Sequence, residues 1–119
     1  MVIPKPLCQC RICREARKKG VPYARTGPSA FLHDINLLID TPAEIASQLN
    51  RCHIRHIDYL ILTHLDPDHV EGFRIVEQIS LDFRTWKAYR EKQIQLILPE
   101  SLGEGIRNVQ SFYGPVIDF

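Results

Sequence analysis

The order of elements in this 119-residue chain predicts a layered α/β domain. Three observations carry that expectation. Two short apolar runs, Leu37-Leu38-Ile39 and Leu60-Ile61-Leu62, read as strands buried on both faces. Apolar residues at helical spacing follow each run: Ile45 and Leu49 after the first, then Val70, Phe73, Val76 and Ile79 after the second. The second run also stops abruptly in a loop crowded with imidazoles and carboxylates, the kind of place where a rigid scaffold presents its chemistry.

Composition sets the bounds. A hydrophobic content of 45% with 24% charged residues is that of an ordinary globular chain, and the length suits one domain. A formal net charge of +1 gives no global attraction to nucleic acid or to a membrane surface. No apolar run approaches the ~20 residues of a membrane span. The first residues hold Pro4 and Pro6 and lack the apolar segment of a signal peptide, so a cytoplasmic location is expected.

The elements follow in chain order. Residues 1–7 should be extended and irregular. Cys8, Cys10 and Cys13 crowd into six residues, a spacing that favours one Zn²⁺ over a disulfide framework. Three reduced thiols in a half-buried loop are the plain alternative, and no fourth ligand stands nearby. Residues 14–19 predict a short basic helix stopped by Gly20. Its cations could touch phosphate, but with no interleaved aromatic platform a solvated face is the simpler reading. After a loop over 21–28, residues 29–32 and 36–40 predict a hairpin with His33 at its turn. Thr41, Pro42 and Glu44 predict a capping box opening a helix that ends near Cys52. Cys52, His53 and His56 lie beyond it, best read as surface or core residues. Residues 69–79 predict an amphipathic helix, 83–92 a further helical piece, and 94–98 a strand ended by Pro99. Leu102, Ile106, Val109 and Phe112 predict a last helix, and 116–119 the start of another strand.

The loop after the second run holds His64, Asp66, Asp68 and His69, four potential metal ligands in six residues. Pro67 disfavours helical geometry at Asp66 and suits the first turn of a helix beginning there. Alternate residues of an extended segment point the same way, so His64 and Asp66 could share one ion. Asp68 and His69, past the Pro turn, could meet a second. Two ions a few ångströms apart can activate water and polarise a phosphate or carbonyl, which makes hydrolysis the natural reaction class.

Residues 63–72, Thr-His-Leu-Asp-Pro-Asp-His-Val-Glu-Gly, resemble the H-x-H-x-D-H signature of the metallo-β-lactamase superfamily with its following Gly. Leu38-Ile39-Asp40-Thr41 resembles the superfamily's preceding strand, which ends in a buttressing Asp. The cysteine cluster is similar to that of one branch, the phosphoribosyl 1,2-cyclic phosphate phosphodiesterases. The resemblance implies a partial αββα sandwich, roughly the first half, over residues 1–119, with 7–20 as a cysteine-rich zinc-binding insertion. It implies His64 and Asp66 on one divalent ion, Zn or Mn, and Asp68 and His69 on a second. Asp68 would also assist the leaving group, and Asp40 would buttress the site. Cys8, Cys10 and Cys13 would hold one structural Zn. The substrate implied is a small phosphodiester, with no membrane or nucleic-acid partner.

Two departures from the family pattern stand out. Asp66 replaces the usual His, and a harder ligand favours Mn²⁺ or Fe²⁺ beside Zn²⁺. No His follows His69, and Asp82 and Asp118 are the only later aspartates, so the pattern predicts a fragment or truncated frame. Half a sandwich exposes an apolar sheet face, which predicts weak stability or self-association, a homodimer being the simplest form. Two other classes compete with the phosphodiesterase. One is a non-catalytic zinc module contacting RNA or protein. The other is a thioester or lactone hydrolase of the same superfamily, since the metal loop sets the nucleophile and not the pocket.

Overall fold

The sheet grows from the buried runs. In the computed structural model, which describes residues 2–89 and 93–106, the strands are β1 (Ala30–Leu32), β2 (Leu37–Ile39), β3 (Tyr59–Ile61), β4 (Leu81–Asp82), β5 (Lys87–Ala88) and β6 (Gln95–Ile97). The helices are α1 (Arg11–Lys19), α2 (Ile45–Arg51), α3 (Pro67–Val70) and α4 (Ile75–Ser80), with a further helical turn beginning at 103. Four strands form the main sheet in the order β1-β2-β3-β6; β1 is antiparallel to β2, and β2, β3 and β6 are parallel. The β1–β2 hairpin turns through a 3₁₀ segment at His33–Ile35, which makes His33 a turn residue as expected.

Register explains which face is buried. Phe31, Leu38, Leu60 and Leu96 align across the four strands. They pack against Ile45 and Leu49 of α2, and against Phe73, Ile75 and Val76 in and before α4. Each large aliphatic side chain removed from water contributes about 1.5–3 kcal/mol. Side chains alternate along a strand, so Leu32, Tyr59 and Ile97 point to the other face, where they stay 43%, 36% and 47% exposed. One sheet face is thus covered and the other only in part, with Leu37 buried there beside its exposed neighbours, which departs from the expected strands buried on both faces. No helix among the described residues is long and apolar enough to cross a membrane.

Local rules and tertiary demands disagree at four places. The basic helix starts earlier than its apolar pattern suggests, because Cys10 caps it: its sulfur accepts the Cys13 N–H at 3.5 Å. Gly20, at φ +68°, ends it as expected. The capping box at Thr41 does not form. Glu44 occupies the cap position without a side-chain bond there, and its carboxylate accepts the Gly27 N–H instead. The expected 69–79 helix is split into α3 and α4 by a turn over 71–74. The helical piece expected at 83–92 is a β4–β5 hairpin over its described part. Asp82 accepts the Arg84 N–H with its carboxylate and the Trp86 N–H with its carbonyl, and Trp86 takes φ +55°. Residues 90–92, the end of the helix expected from Leu102, and the strand expected at 116–119 lie outside the described residues.

Gly72, the glycine that closes the ligand-rich motif, is a packing residue. Its N–H donates to Thr41 O at 2.8 Å. A Cβ there would sit 2.1 Å from the Pro42 carbonyl oxygen and 2.7 Å from Ile45 Cγ2. The turn after the loop can lie against the start of α2 only without a side chain. Gly72→Ala is expected to cost about 1–3 kcal/mol in urea unfolding, as overpacking does. Gly103→Ala meets nothing within 4 Å at helical φ −57°, ψ −39° and should be neutral or stabilising by up to about 1 kcal/mol. Equal effects from the two substitutions would contradict the packing role.

Candidate metal centre

The loop after β3 is nailed down by alternation. Leu62 is fully buried and its N–H reaches Ile97 O at 3.3 Å, continuing the contact with β6. Leu65 packs against the core, while His64 and Asp66 face outward between these anchors. Asp66 is extended at φ −64°, ψ 142°, and Pro67 opens α3, both as Pro67 dictates. α3 carries Asp68 in its first turn and His69 in its last.

A second chain segment locks this loop. β2 ends at Asp40, which takes the left-handed φ of +58° that aspartate tolerates better than most side chains. Its backbone N–H donates to Ile61 O at 2.8 Å. Its carboxylate, 5% exposed as a residue, accepts three hydrogen bonds. Thr63 N–H reaches Oδ1 at 2.8 Å, Thr63 Oγ1 reaches Oδ2 at 2.7 Å, and His69 Nδ1 reaches Oδ2 at 2.8 Å. Thr41, fully buried, adds its N–H to His69 O at 2.6 Å. This tertiary use of Thr41 is why it caps no helix.

Four candidate ligands therefore gather at one edge of the sheet. The His64 and His69 rings lie 3.8 Å apart between centroids. His64 Nε2 is 3.5 Å from Asp66 Oδ2, and His69 Nε2 is 4.0 Å from Asp68 Oδ2. Each imidazole thus has its own carboxylate, in the pairs the loop spacing suggests. The tightest group of donor atoms is instead Asp40, His64 and His69, within 4.8 Å of one another. Both Asp40 oxygens already accept hydrogen bonds, from Thr63 and His69, so the carboxylate holds those residues in place. Asp66 and Asp68, with side chains 74% and 63% exposed, have the freedom to close on an ion. Two imidazoles and two carboxylates are a donor set that suits Zn²⁺ or Mn²⁺.

The cysteines form a second cluster. The sulfurs of Cys8, Cys10 and Cys13 lie within 4.8 Å of one another and are free thiols. Cys13 Sγ accepts the Lys5 N–H at 3.4 Å. The Cys10 thiol is drawn down to about 7, chiefly by the Cys13 N–H and then by its bonds with the Cys8 and Cys13 sulfurs. The Lys5 N–H pulls the Cys13 thiol down, yet burial and the two neighbouring sulfurs outweigh it and raise the thiol. The lowered Cys10 thiol is thus the one ready to give the thiolate that a metal needs. Among the described residues no fourth ligand joins the group.

The other histidines take ordinary roles. His56 Nε2 pairs with Asp58 Oδ1 at 2.6 Å; the Asn36 amide and then His56 hold that aspartate below its usual range. Cys52 is exposed at the end of α2, and neither it nor His53 joins a cluster. A cavity of about 390 Å³ opens near residues 54–57, ahead of β3, with Leu49, Ile57, Ile75 and Ile79 in its walls. It does not include the loop that follows β3. Thr63 is the one participant that motif reading overlooked; its place between a buried strand and the first imidazole was the available signal.

No family model matches the sequence, and no curated protein matches it significantly. Solved structures do. A structure described as a new diphosphatase from the PhnP family is 27% identical with a TM-score of 0.70, over 94% of this chain and 42% of that one. Zn²⁺-bound PqqB from Methylobacterium extorquens is 20% identical with a TM-score of 0.65, over 90% of this chain and 39% of that one. The chain spans about two fifths of the length of each. It has a partial metallo-β-lactamase-type α/β fold, in keeping with the resemblance carried by residues 63–72.

Burial raises the Asp40 carboxyl, but the Thr63 N–H, the His69 imidazole and the Thr63 hydroxyl together outweigh it and hold the carboxyl below its usual range. A lowered folded value means stability that is present above the unfolded pKa of about 3.9 and lost as pH falls through the folded value. Urea unfolding between pH 7 and pH 2 should show that acid limb in the native chain and a shallower one in Asp40→Asn. Parallel pH profiles would contradict this account of the carboxylate.

Proposed function

We propose that this chain carries the first part of the metal site of a hydrolase that cleaves phosphate esters, a small or cyclic phosphodiester being the favoured substrate class. The observation behind the reading is the pairing of His64 with Asp66 and of His69 with Asp68 on one preorganised loop. The 27% identity to a structure described as a diphosphatase favours phosphoryl chemistry over thioester or lactone hydrolysis.

In this reading His64 and Asp66 hold one divalent ion and Asp68 and His69 hold a second. Bound there, the two ions supply Lewis acidity and lower the pKa of water to near neutrality. The chain's own contribution is placement. The buried Leu62 and the partly buried Leu65 fix the loop, Asp40 orients His69, and the exposed carboxylates of Asp66 and Asp68 neutralise incoming cations. Asp68, the exposed partner of His69, would also exchange a proton with a leaving oxygen. Cys8, Cys10 and Cys13 hold a structural zinc that ties residues 5–10 to the first turn of α1.

Protein expressed from its complete reading frame should hydrolyse bis(p-nitrophenyl) phosphate in the presence of Mn²⁺ or Zn²⁺. His64→Ala and His69→Ala should each lower kcat/KM by about 100-fold or more, since losing a ligand should cost at least as much as losing one of its outer-shell partners. Metal analysis should show one zinc lost on Cys10→Ser and a different ion lost on Asp68→Ala. No turnover with either metal, with zinc lost only on Cys10→Ser, would instead mark the chain as a zinc module without a catalytic centre.

A further inference from the structure

The hydroxyl of Thr63 sits between the two halves of the loop's chemistry. Its Oγ1 is 2.7 Å from Asp40 Oδ2 and 2.8 Å from His64 Nδ1. The same Oδ2 is 2.8 Å from His69 Nδ1. A single oxygen of one buried carboxylate is thus one contact from His69 and two contacts from His64.

With both imidazoles neutral and Asp40 ionised, the donor and acceptor inventory assigns the protons along this path. An ionised carboxylate can only accept. Thr63 has one hydroxyl proton, and it must go to Asp40, or two oxygens would meet lone pair to lone pair at 2.7 Å. The hydroxyl can then only accept from His64, so His64 carries its proton on Nδ1. His69 must likewise donate from Nδ1 to Asp40. Both imidazoles are left with an unprotonated Nε2, the atom that lies nearest Asp66 in His64 and nearest Asp68 in His69.

We infer that Thr63 is a positioning residue: its hydroxyl extends the reach of Asp40 to His64, so that one carboxylate sets the tautomer of both imidazoles and presents both Nε2 atoms for coordination. The inference rests on the metal-centre reading only in naming Nε2 as the ligand atom. It accounts for a Thr ahead of His64, where Val would serve a strand end equally well by shape. It also makes the two ion sites interdependent, because chains of hydrogen bonds polarise one another. The same oxygen answers to both rings, so a change at one imidazole is felt at the other.

The test reads the tautomers directly. ¹⁵N NMR of the metal-free protein, at a pH where both rings are neutral, should show Nδ1–H and bare Nε2 at His64 and His69. Thr63→Val should release His64 to a mixture of tautomers and leave His69 in place. Thr63→Ser should keep the native pattern, and Asp40→Asn should disturb both rings. Zn²⁺ affinity should fall about 10–100-fold in Thr63→Val, the usual effect of losing an outer-shell partner, and recover in Thr63→Ser. Should Thr63→Val not fold, Thr63→Ala and Asp40→Asn carry the same comparison. His64 remaining Nδ1-protonated in Thr63→Val or Thr63→Ala, or losing that state in Thr63→Ser, would overturn the inference. Tautomers that shift as described in a protein that binds neither Zn²⁺ nor Mn²⁺ would uphold the relay and sink the metal-centre reading.

Discussion

Everything at the candidate centre depends on the carboxylate of Asp40 finding three donors at the end of a buried strand. A buried carboxylate without partners would cost several kcal/mol or take up a proton. Here Thr63 and His69 satisfy it, and in doing so they are themselves fixed. The left-handed backbone at Asp40 turns the chain sharply after β2, and Thr41 then bonds to the carbonyl of His69. A short hydrogen-bonded knot thus joins the ends of two parallel strands. The knot is made of protein groups alone, so the loop is preorganised before any ion arrives.

Local contacts hold the exposed segments of this chain to its core. This chain uses two local devices. At the sheet edge, Gly72 lets the segment after α3 lie directly on the Pro42 carbonyl. Near the start of the chain, three thiols gather around the first turn of α1, with Cys10 capping the helix and Cys13 buried beneath it. The motif glycine thus acts in packing, and the cysteines cluster where α1 begins.

The sheet was legible because Leu38 and Leu60 belong to unbroken apolar runs bounded by turn signals; the expected cover on both faces was not met, since Leu32, Tyr59 and Ile97 stay partly exposed. The loop was legible because Pro67 constrains its own neighbours. What misled was local chemistry with two possible outlets. Thr41 could cap a helix, yet its polar groups bond to His69 O and the Gly72 N–H, and burial makes those bonds worth more. Residues 69–79 carry a helical stripe, but the close approach at Gly72 breaks it in two. Trp86 and Tyr89 looked helical by spacing, whereas Asp82 turns the chain through its own side chain, a signal that periodicity does not weigh. The role of Thr63 follows from proton bookkeeping that brings in Asp40, distant from it in sequence, which no motif displays.

The most direct measurement is anomalous diffraction from crystals of the complete protein loaded with Zn²⁺ or Mn²⁺. The account predicts metal density about 2.0–2.2 Å from Nε2 of both His64 and His69, with Asp66 and Asp68 completing the coordination and Asp40 still bonded to Thr63 and His69. Ions held through Nδ1, an ion taken directly by Asp40, or no metal density at this loop would contradict it.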